Sequence, residues 1–179
     1  MWRRLLLAAA LAAACGAARG DENEDFGVAA TETLRLEDHA SPTPLEIRGA
    51  KRLSTAEVFE RLARPAAARP LLFDVVGDVH PSLPGAVWLP GAGRGESFED
   101  GVQERLAETL ALLTHGDKAR EIVFFCAGER CWLSYNAALR AARLGYTEIG
   151  WYRGGVRAWT AAGYSVGPMN YVWRRPETP

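Results

Sequence analysis

At 179 residues the chain is long enough for one domain of ordinary size and too short for two. Apolar residues make up 48% and charged residues 24%, which excludes a fibrous, collagen-like or wholly disordered chain. A formal net charge of -1 excludes a polycation built to bind nucleic acid.

The first twenty residues form a separate object. Met1-Trp2-Arg3-Arg4 is a short basic start, and Leu5 to Ala14 is an unbroken apolar run. Small residues lead to Gly20, and the acidic stretch Asp21 to Asp25 follows. This is the pattern of a secretory signal, so residues 1–20 are read as a signal peptide and the mature protein as periplasmic or secreted. The apolar run falls short of the about 20 residues that span a bilayer, and no other stretch qualifies as a transmembrane segment. Removing residues 1–20 takes three arginines and no acid, leaving 18 basic against 22 acidic residues. Ala12-Ala13-Ala14-Cys15 resembles a weak lipobox, so a lipid anchor on Cys15 is the minor alternative. Either way the chain meets an environment where thiols oxidise. The mature chain then holds two cysteines, Cys126 and Cys131, too few for a disulfide scaffold.

Residues 21–49 carry acids, threonines and prolines without a sustained period, and read as a flexible lead with one short strand near Thr33–Leu36. Ser54-Thr55-Ala56-Glu57 predicts a capping box opening a helix that Pro65 stops. Leu71 to Val76 and Ala86 to Leu89 predict short buried strands, with a turn-rich segment between them. The glycine-rich stretch Gly91 to Gly95 does not fit a dinucleotide fingerprint and reads as a mobile loop. A helix is predicted over Phe98–Leu113, with Val102, Leu106, Leu110 and Leu113 on one stripe. Glu121 to Phe125 is a third strand running into Cys126. A long helix over Trp132–Leu144 ends at Gly145, a suitable C-terminal cap. A fourth strand spans Thr147–Tyr152, and a short helix Val156–Ala162. Strands alternating with helices predict an α/β domain, a parallel sheet with helices on both faces. The domain is placed at residues 50–165, with 166–179 as a C-terminal tail packing on it.

Cys126 stands where ligands bind in open α/β sheets, at the carboxyl end of a strand. It faces a helix N-terminus, whose unpaired N–H groups and dipole favour the thiolate. Ala127 and Gly128 are small enough to let amides turn inward and, with Glu129, Arg130 and Trp132, form an anion-cradle loop. Arg130 adds positive charge and Glu129 opposes it. Asp74, at the end of a buried strand, reads as structural support by hydrogen bonding.

Leu72-Phe73-Asp74-Val75, Leu83-Pro84-Gly85-Ala86, Phe124-Phe125-Cys126, Gly145-Tyr146 and Gly154-Gly155-Val156-Arg157-Ala158-Trp159 follow one another at sensible spacing. In that order they resemble the motifs of a rhodanese-like domain. A narrower resemblance rests on three stretches: Pro84 to Pro90, Cys131-Trp132-Leu133-Ser134-Tyr135-Asn136-Ala137-Ala138, and Trp151-Tyr152. These are similar to the exported PQQ-dependent catabolism-associated CXXCW motif proteins. The first resemblance implies a persulfide on Cys126 and sulfane-sulfur transfer between a small sulfur donor and a thiol acceptor. The second implies an accessory role beside a periplasmic quinoprotein pathway for alcohol catabolism. Neither implies a bound cofactor, since nothing here resembles a PQQ-binding propeller.

Several positions depart from the rhodanese pattern. Val76 stands where an arginine is common, and His80 is slightly displaced. The stretch from Cys126 to Gly145 is about two residues longer than is usual in the family. In the phosphatase variant of the fold an arginine stands sixth after the cysteine; here that position is Trp132, which argues against phosphatase or arsenate reductase activity.

Three readings of the cysteine pair stand open: a nucleophile Cys126 with Cys131 as resolving thiol, a permanent disulfide in a non-catalytic partner module, and a metal site with His80. Four residues between the cysteines is poor zinc spacing without a second pair, so no metal is expected. Trp132, Tyr135, Trp151, Tyr152, Trp159, Tyr171 and Trp173 read as core and rim packing rather than a platform for a flat quinone. His39 and His115 read as surface residues.

Overall fold

The computed structural model describes residues 21–171; residues 1–20, which hold the predicted signal and Cys15, and residues 172–179, which hold Trp173, lie outside the described part. The short apolar runs become strands and the amphipathic stretches between them helices. In chain order they are β1 Lys51–Leu53, α1 Thr55–Leu62, a 3-10 turn Ala66–Ala68, β2 Leu71–Asp74, β3 Val87–Trp88, α2 Gly101–Thr114, β4 Ile122–Phe125, α3 Trp132–Arg143, β5 Ile149–Tyr152, α4 Gly155–Ala161 and β6 Asn170–Tyr171. All six strands pair in parallel in one sheet ordered β1-β5-β4-β2-β3-β6. The fold is the expected α/β domain with helices on both faces.

Strand side chains alternate between two cores, as a pleated strand requires. Phe73, Ile122, Phe124 and Trp151 face α2 and α3. Leu72, Val123, Phe125 and Tyr152 face α1 and α4. That double burial explains why β2 and β4 read as nearly continuous apolar runs. Gly150 marks the crowded junction of β5 with β1: a Cβ there would lie 2.6 Å from Leu53 Cδ1 and 2.9 Å from Val123 Cγ2.

The helix ends follow their caps. Ser54 and Glu57 form the predicted capping box of α1. Helix α2 starts three residues later than expected from Phe98, because Asp100 accepts the Gln103 amide at 2.9 Å and so fixes the N-cap. Helix α3 stops at Arg143, ahead of Gly145 with its φ of 84°.

The lead departs from its sequence reading. Residues 21–49 contain no helix or strand, and the short strand near Thr33–Leu36 does not form. The segment is nevertheless tied down. Thr31 and the Tyr135 hydroxyl exchange two hydrogen bonds, at 2.9 and 2.8 Å, and Arg35 and the Asn136 amide exchange two more, at 2.9 and 2.7 Å. Polar side chains of α3 thus satisfy the lead's backbone where a partner strand otherwise would. The stretch Gly91 to Gly95, read as mobile, is likewise docked on α3: the Gly93 carbonyl accepts from Asn136 at 2.9 Å and the Arg94 carbonyl from Arg140 at 2.6 Å. At the other edge, Ser82 bridges Gly167 and β6 pairs with β3. No helix among the described residues is long and apolar enough to cross a membrane.

Candidate functional site

Strand β4 delivers Cys126 to the carboxyl edge of the sheet, where it is 2% exposed. The chain turns through Ala127 to Arg130, and Cys131 becomes the N-cap of α3. The two cysteines are joined as a disulfide, their Cα atoms 6.1 Å apart, inside the usual range of about 4.4–6.8 Å.

Two neighbours hold this loop. From one side, the amides of Val156 and Arg157 at the start of α4 donate to the carbonyls of Cys126 and Ala127, at 3.0 and 2.9 Å. Gly155 makes that approach possible: its φ is 57°, and a Cβ would collide with the Cys126 carbonyl. From the other side comes the lead. The His39 carbonyl accepts the Trp132 amide at 2.9 Å, and the Pro42 carbonyl accepts the Trp132 indole at 3.0 Å. The Thr43 amide and hydroxyl both donate to the Glu129 carbonyl, at 3.1 and 2.7 Å. Arg153, 1% exposed, braces this strap by donating to the Thr43 hydroxyl at 3.0 Å, the Thr43 carbonyl at 3.1 Å and the Glu22 carbonyl at 2.7 Å. Burial pushes the Arg153 pKa down.

The predicted loop residues therefore take different parts. Trp132 gives its amide to His39 rather than to a bound anion, and its ring packs 4.9 Å from Tyr135. The Gly128 carbonyl accepts the Cys131 amide at 3.1 Å. Glu129 is buried; Oε1 accepts from Arg157 at 2.8 Å, and Oε2 has no hydrogen-bond partner. The Arg130 guanidinium lies over the Phe26 ring, 4.6 Å from its centroid. Ala127 and Arg130 line an open cavity of about 770 Å³ together with both cysteines, Arg94, Arg105, Arg157, Asp78 and His39. Burial pushes the His39 pKa below its ordinary value, so its ring is neutral near pH 7.

Asp74, paired in register with Phe125, anchors a separate hydrogen-bond network. It ends β2, fully buried, and accepts from the Val76 amide at 3.0 Å, from His80 Nε2 at 2.9 Å and from the Ser82 hydroxyl. Burial outweighs these bonds and raises its pKa. His80 is thus spent on Asp74, and the sulfurs are spent on each other, so the three do not assemble as the metal reading needs. Among the described residues no group of three or more His, Cys, Asp or Glu is placed to hold a metal. Tyr135 and Trp151 meet edge to face at 5.1 Å in the core, and Trp159 lies tilted against Tyr164 at 4.7 Å, so these rings are packing.

Sequence reasoning missed His39, Thr43, Arg94, Arg153 and Arg157. A usable signal existed for two of them. Arg153 and Arg157 follow the carboxyl end of β5, where charged residues face the site in parallel sheets. Thr43→Val tests the strap. It removes the hydroxyl bonds to Glu129 and Arg153, so stability should fall by about 1–3 kcal/mol in urea unfolding. The disulfide should also react faster with a neutral thiol; an unchanged rate would show that the strap does not shield it.

The sequence model described as Rhodanese-like domain matches residues 55–162. No curated protein matches this chain. Among solved structures it is similar to the thiosulfate sulfurtransferase from Pseudomonas aeruginosa, with 22% identity and a TM-score of 0.51; the match covers 72% of this chain and 22% of that one. It is also similar to the Alr3790 protein from Anabaena sp. (20% identity, TM-score 0.48, 65% of this chain and 92% of that chain). A third is the BH2092 protein from Bacillus halodurans (20% identity, TM-score 0.49, 66% and 77%). This chain spans under a quarter of the length of the first of these.

Proposed function

The chain belongs to the rhodanese-like domain family, and on that premise we propose that Cys126 is a sulfur-carrying or thiol-exchanging nucleophile whose resting form is the disulfide with Cys131. One observation carries this reading: a cysteine at the carboxyl end of the central strand β4 is bonded to the N-cap residue of α3 and opens on an arginine-lined cavity. The name of the Pseudomonas aeruginosa relative, a thiosulfate sulfurtransferase, supports sulfur transfer as the chemistry. The reading extends to export, carried by the leader pattern of residues 1–20. It extends to an accessory role in PQQ-dependent alcohol catabolism, carried by the narrower resemblance of residues 84–90, 131–138 and 151–152.

A second reading has its own support. The disulfide is closed, and the Trp132 amide at the helix end is already taken by His39. A non-catalytic binding module with a structural Cys126–Cys131 disulfide would look like this. Mass spectrometry separates the two. After reduction and exposure to thiosulfate, the enzyme reading expects one added sulfur atom on Cys126, absent without reductant and absent in Cys126→Ser. No sulfur gain under any condition, together with a disulfide that small thiols do not open, supports the module.

A further inference from the structure

We propose that residues 22–43 are a latched lid over the cysteine pair, held shut by Glu22, and that a thiol presented on a protein reaches the disulfide only when the lid lifts. The inference rests on the reactive pair proposed above, and it adds what controls access to that pair. The matched family region begins at residue 55, so the lid is an addition to the matched domain.

The latch is a seat shaped for one carboxylate. Thr55 opens α1, where an amide has no acceptor within the helix and a negative charge is favoured. Its amide donates to both carboxylate oxygens of Glu22 at 3.0 Å, and its hydroxyl to Oε2 at 2.7 Å. The buried Tyr152 hydroxyl, 2.8 Å from that of Thr55, fixes the donor from behind. Gly154 leaves the space, since a Cβ there would collide with the Glu22 carboxylate. Arg52 and Arg153 donate to the Glu22 carbonyl, at 3.2 and 2.7 Å.

Arg153 joins the latch to the far end of the lid. The same guanidinium donates to the Thr43 hydroxyl and carbonyl, at 3.0 and 3.1 Å, so both ends of the segment meet on one buried side chain. Phe26 adds a second tie: its ring centroid lies 5.2 Å from the Arg153 guanidinium and 4.6 Å from that of Arg130. Over the loop the segment touches Glu129, Arg130 and Trp132, on either side of Cys131. His39 and Ala40 border the cavity that reaches both sulfurs.

The lid lifts without unfolding the core. Residues 22–43 contain no helix or strand, and Thr43 is the one buried residue among them. A segment held by polar contacts rather than packing belongs to the low-stability end of a structure. With the lid shut, the open cavity of about 770 Å³ still admits a small molecule, whereas a folded protein needs the face cleared.

The test follows the lid and the chemistry separately. Trp132 opens α3, so only the His39 carbonyl protects its amide. The amides of Thr31, Arg35 and Thr43 are held in the same way by Tyr135, Asn136 and Glu129. Hydrogen exchange should show these four opening together, well before the β4 amides. Glu22→Ala should speed all four by about tenfold or more, the factor expected from losing bonds to a charged group. Faster exchange at Thr55 alone, or a Trp132 amide that opens only with β4, overturns the latch. The oxidised protein is then opened with reduced thioredoxin and with 2-mercaptoethanol, each turning two reagent thiols into a disulfide and the protein disulfide into two thiols. Glu22→Ala should raise the thioredoxin rate by about the factor seen in exchange, and the 2-mercaptoethanol rate by less. A thioredoxin rate that stays put while the four amides quicken overturns the lid. Persulfide formation on Cys126 of the reduced protein is read independently. If it occurs while the thioredoxin rate does not follow, the lid alone fails; if it is missing and neither thiol opens the disulfide, the reading beneath fails as well.

Discussion

The Cys126–Cys131 couple is expected to titrate above about −300 mV, the level below which structural disulfides of secreted proteins lie. Two features of the loop lead there. The cysteines are five residues apart, so the bond closes a very short loop. Chain entropy then assigns it only about 2 kcal/mol of stabilisation. The loop is also held by bonds that do not involve sulfur: the amides of Val156 and Arg157 on one side and Thr43 on the other. These remain when the disulfide opens. The position of Cys131 at the α3 N-cap meanwhile favours a thiolate, and a stabilised reduced form raises the potential. Reduction should accordingly lower the melting temperature by no more than about 8 °C, since 1 kcal/mol moves a domain of this size by about 2–4 °C. A redox titration against glutathione buffers, with thermal melts of both forms, measures both quantities. A potential below about −300 mV with a large fall in melting temperature would make the bond a structural staple.

The sheet was legible because its strands are buried on both faces. Leu71 to Val76 and Glu121 to Phe125 show apolar runs that become β2 and β4, and the second ends at the cysteine. Strand β1 was not legible. It is Lys51-Arg52-Leu53, an edge strand with two charges, where pairing with β5 and not side-chain pattern decides the conformation. The predicted start of α3 at Trp132 holds and its end falls one residue earlier, at Arg143, but what packs on the helix was not legible. Ser134, Asn136 and Arg140 are polar, yet they are buried along with Tyr135. The lead covers Tyr135 and Asn136, and it comes from more than 100 positions away, as with Thr31 and Tyr135. Local periodicity carries no trace of such a contact. The same holds for the strap: Thr43 lies in a stretch without pattern, and only the fold brings it to Glu129. The cysteine loop itself was legible as a location, while the capture of the Trp132 amide by the His39 carbonyl was not.

The Arg140–Asp100 pair gives the largest expected effect on stability, and loss of Asp100 should cost more than loss of Arg140. The guanidinium is fully buried in the middle of α3. It donates to Asp100 at 3.0 and 2.9 Å, to Gln103 Oε1 at 3.0 Å and to the carbonyls of Ser97 and Arg94 at 2.8 and 2.6 Å. Asp100 also receives the amides of Glu96, Ser97 and Gln103. Burial pushes the Asp100 carboxyl up, but the bonds from Arg140 and these amides outweigh it and hold it well below the usual carboxylate range. Asp100→Asn keeps a competent N-cap and strands a buried positive charge. That should cost about 3 kcal/mol, the low end for a broken buried pair, because Asp100 is still 19% exposed. Arg140→Met removes the charge, fills much of the volume and leaves Asp100 its amides, so it should cost less. The sign with pH follows from the depressed pKa. The stabilisation by Asp100 is complete above the unfolded value of about 3.9 and drains as pH falls through the lower folded value. Urea unfolding of wild type and Asp100→Asn should therefore differ most at neutral pH and converge on strong acidification. An equal gap at pH 7 and well below pH 3, or a larger loss in Arg140→Met, would remove the charge pair as the cause. The consequence reaches the site, because Arg140 holds the Arg94 carbonyl and Arg94 lines the cysteine cavity.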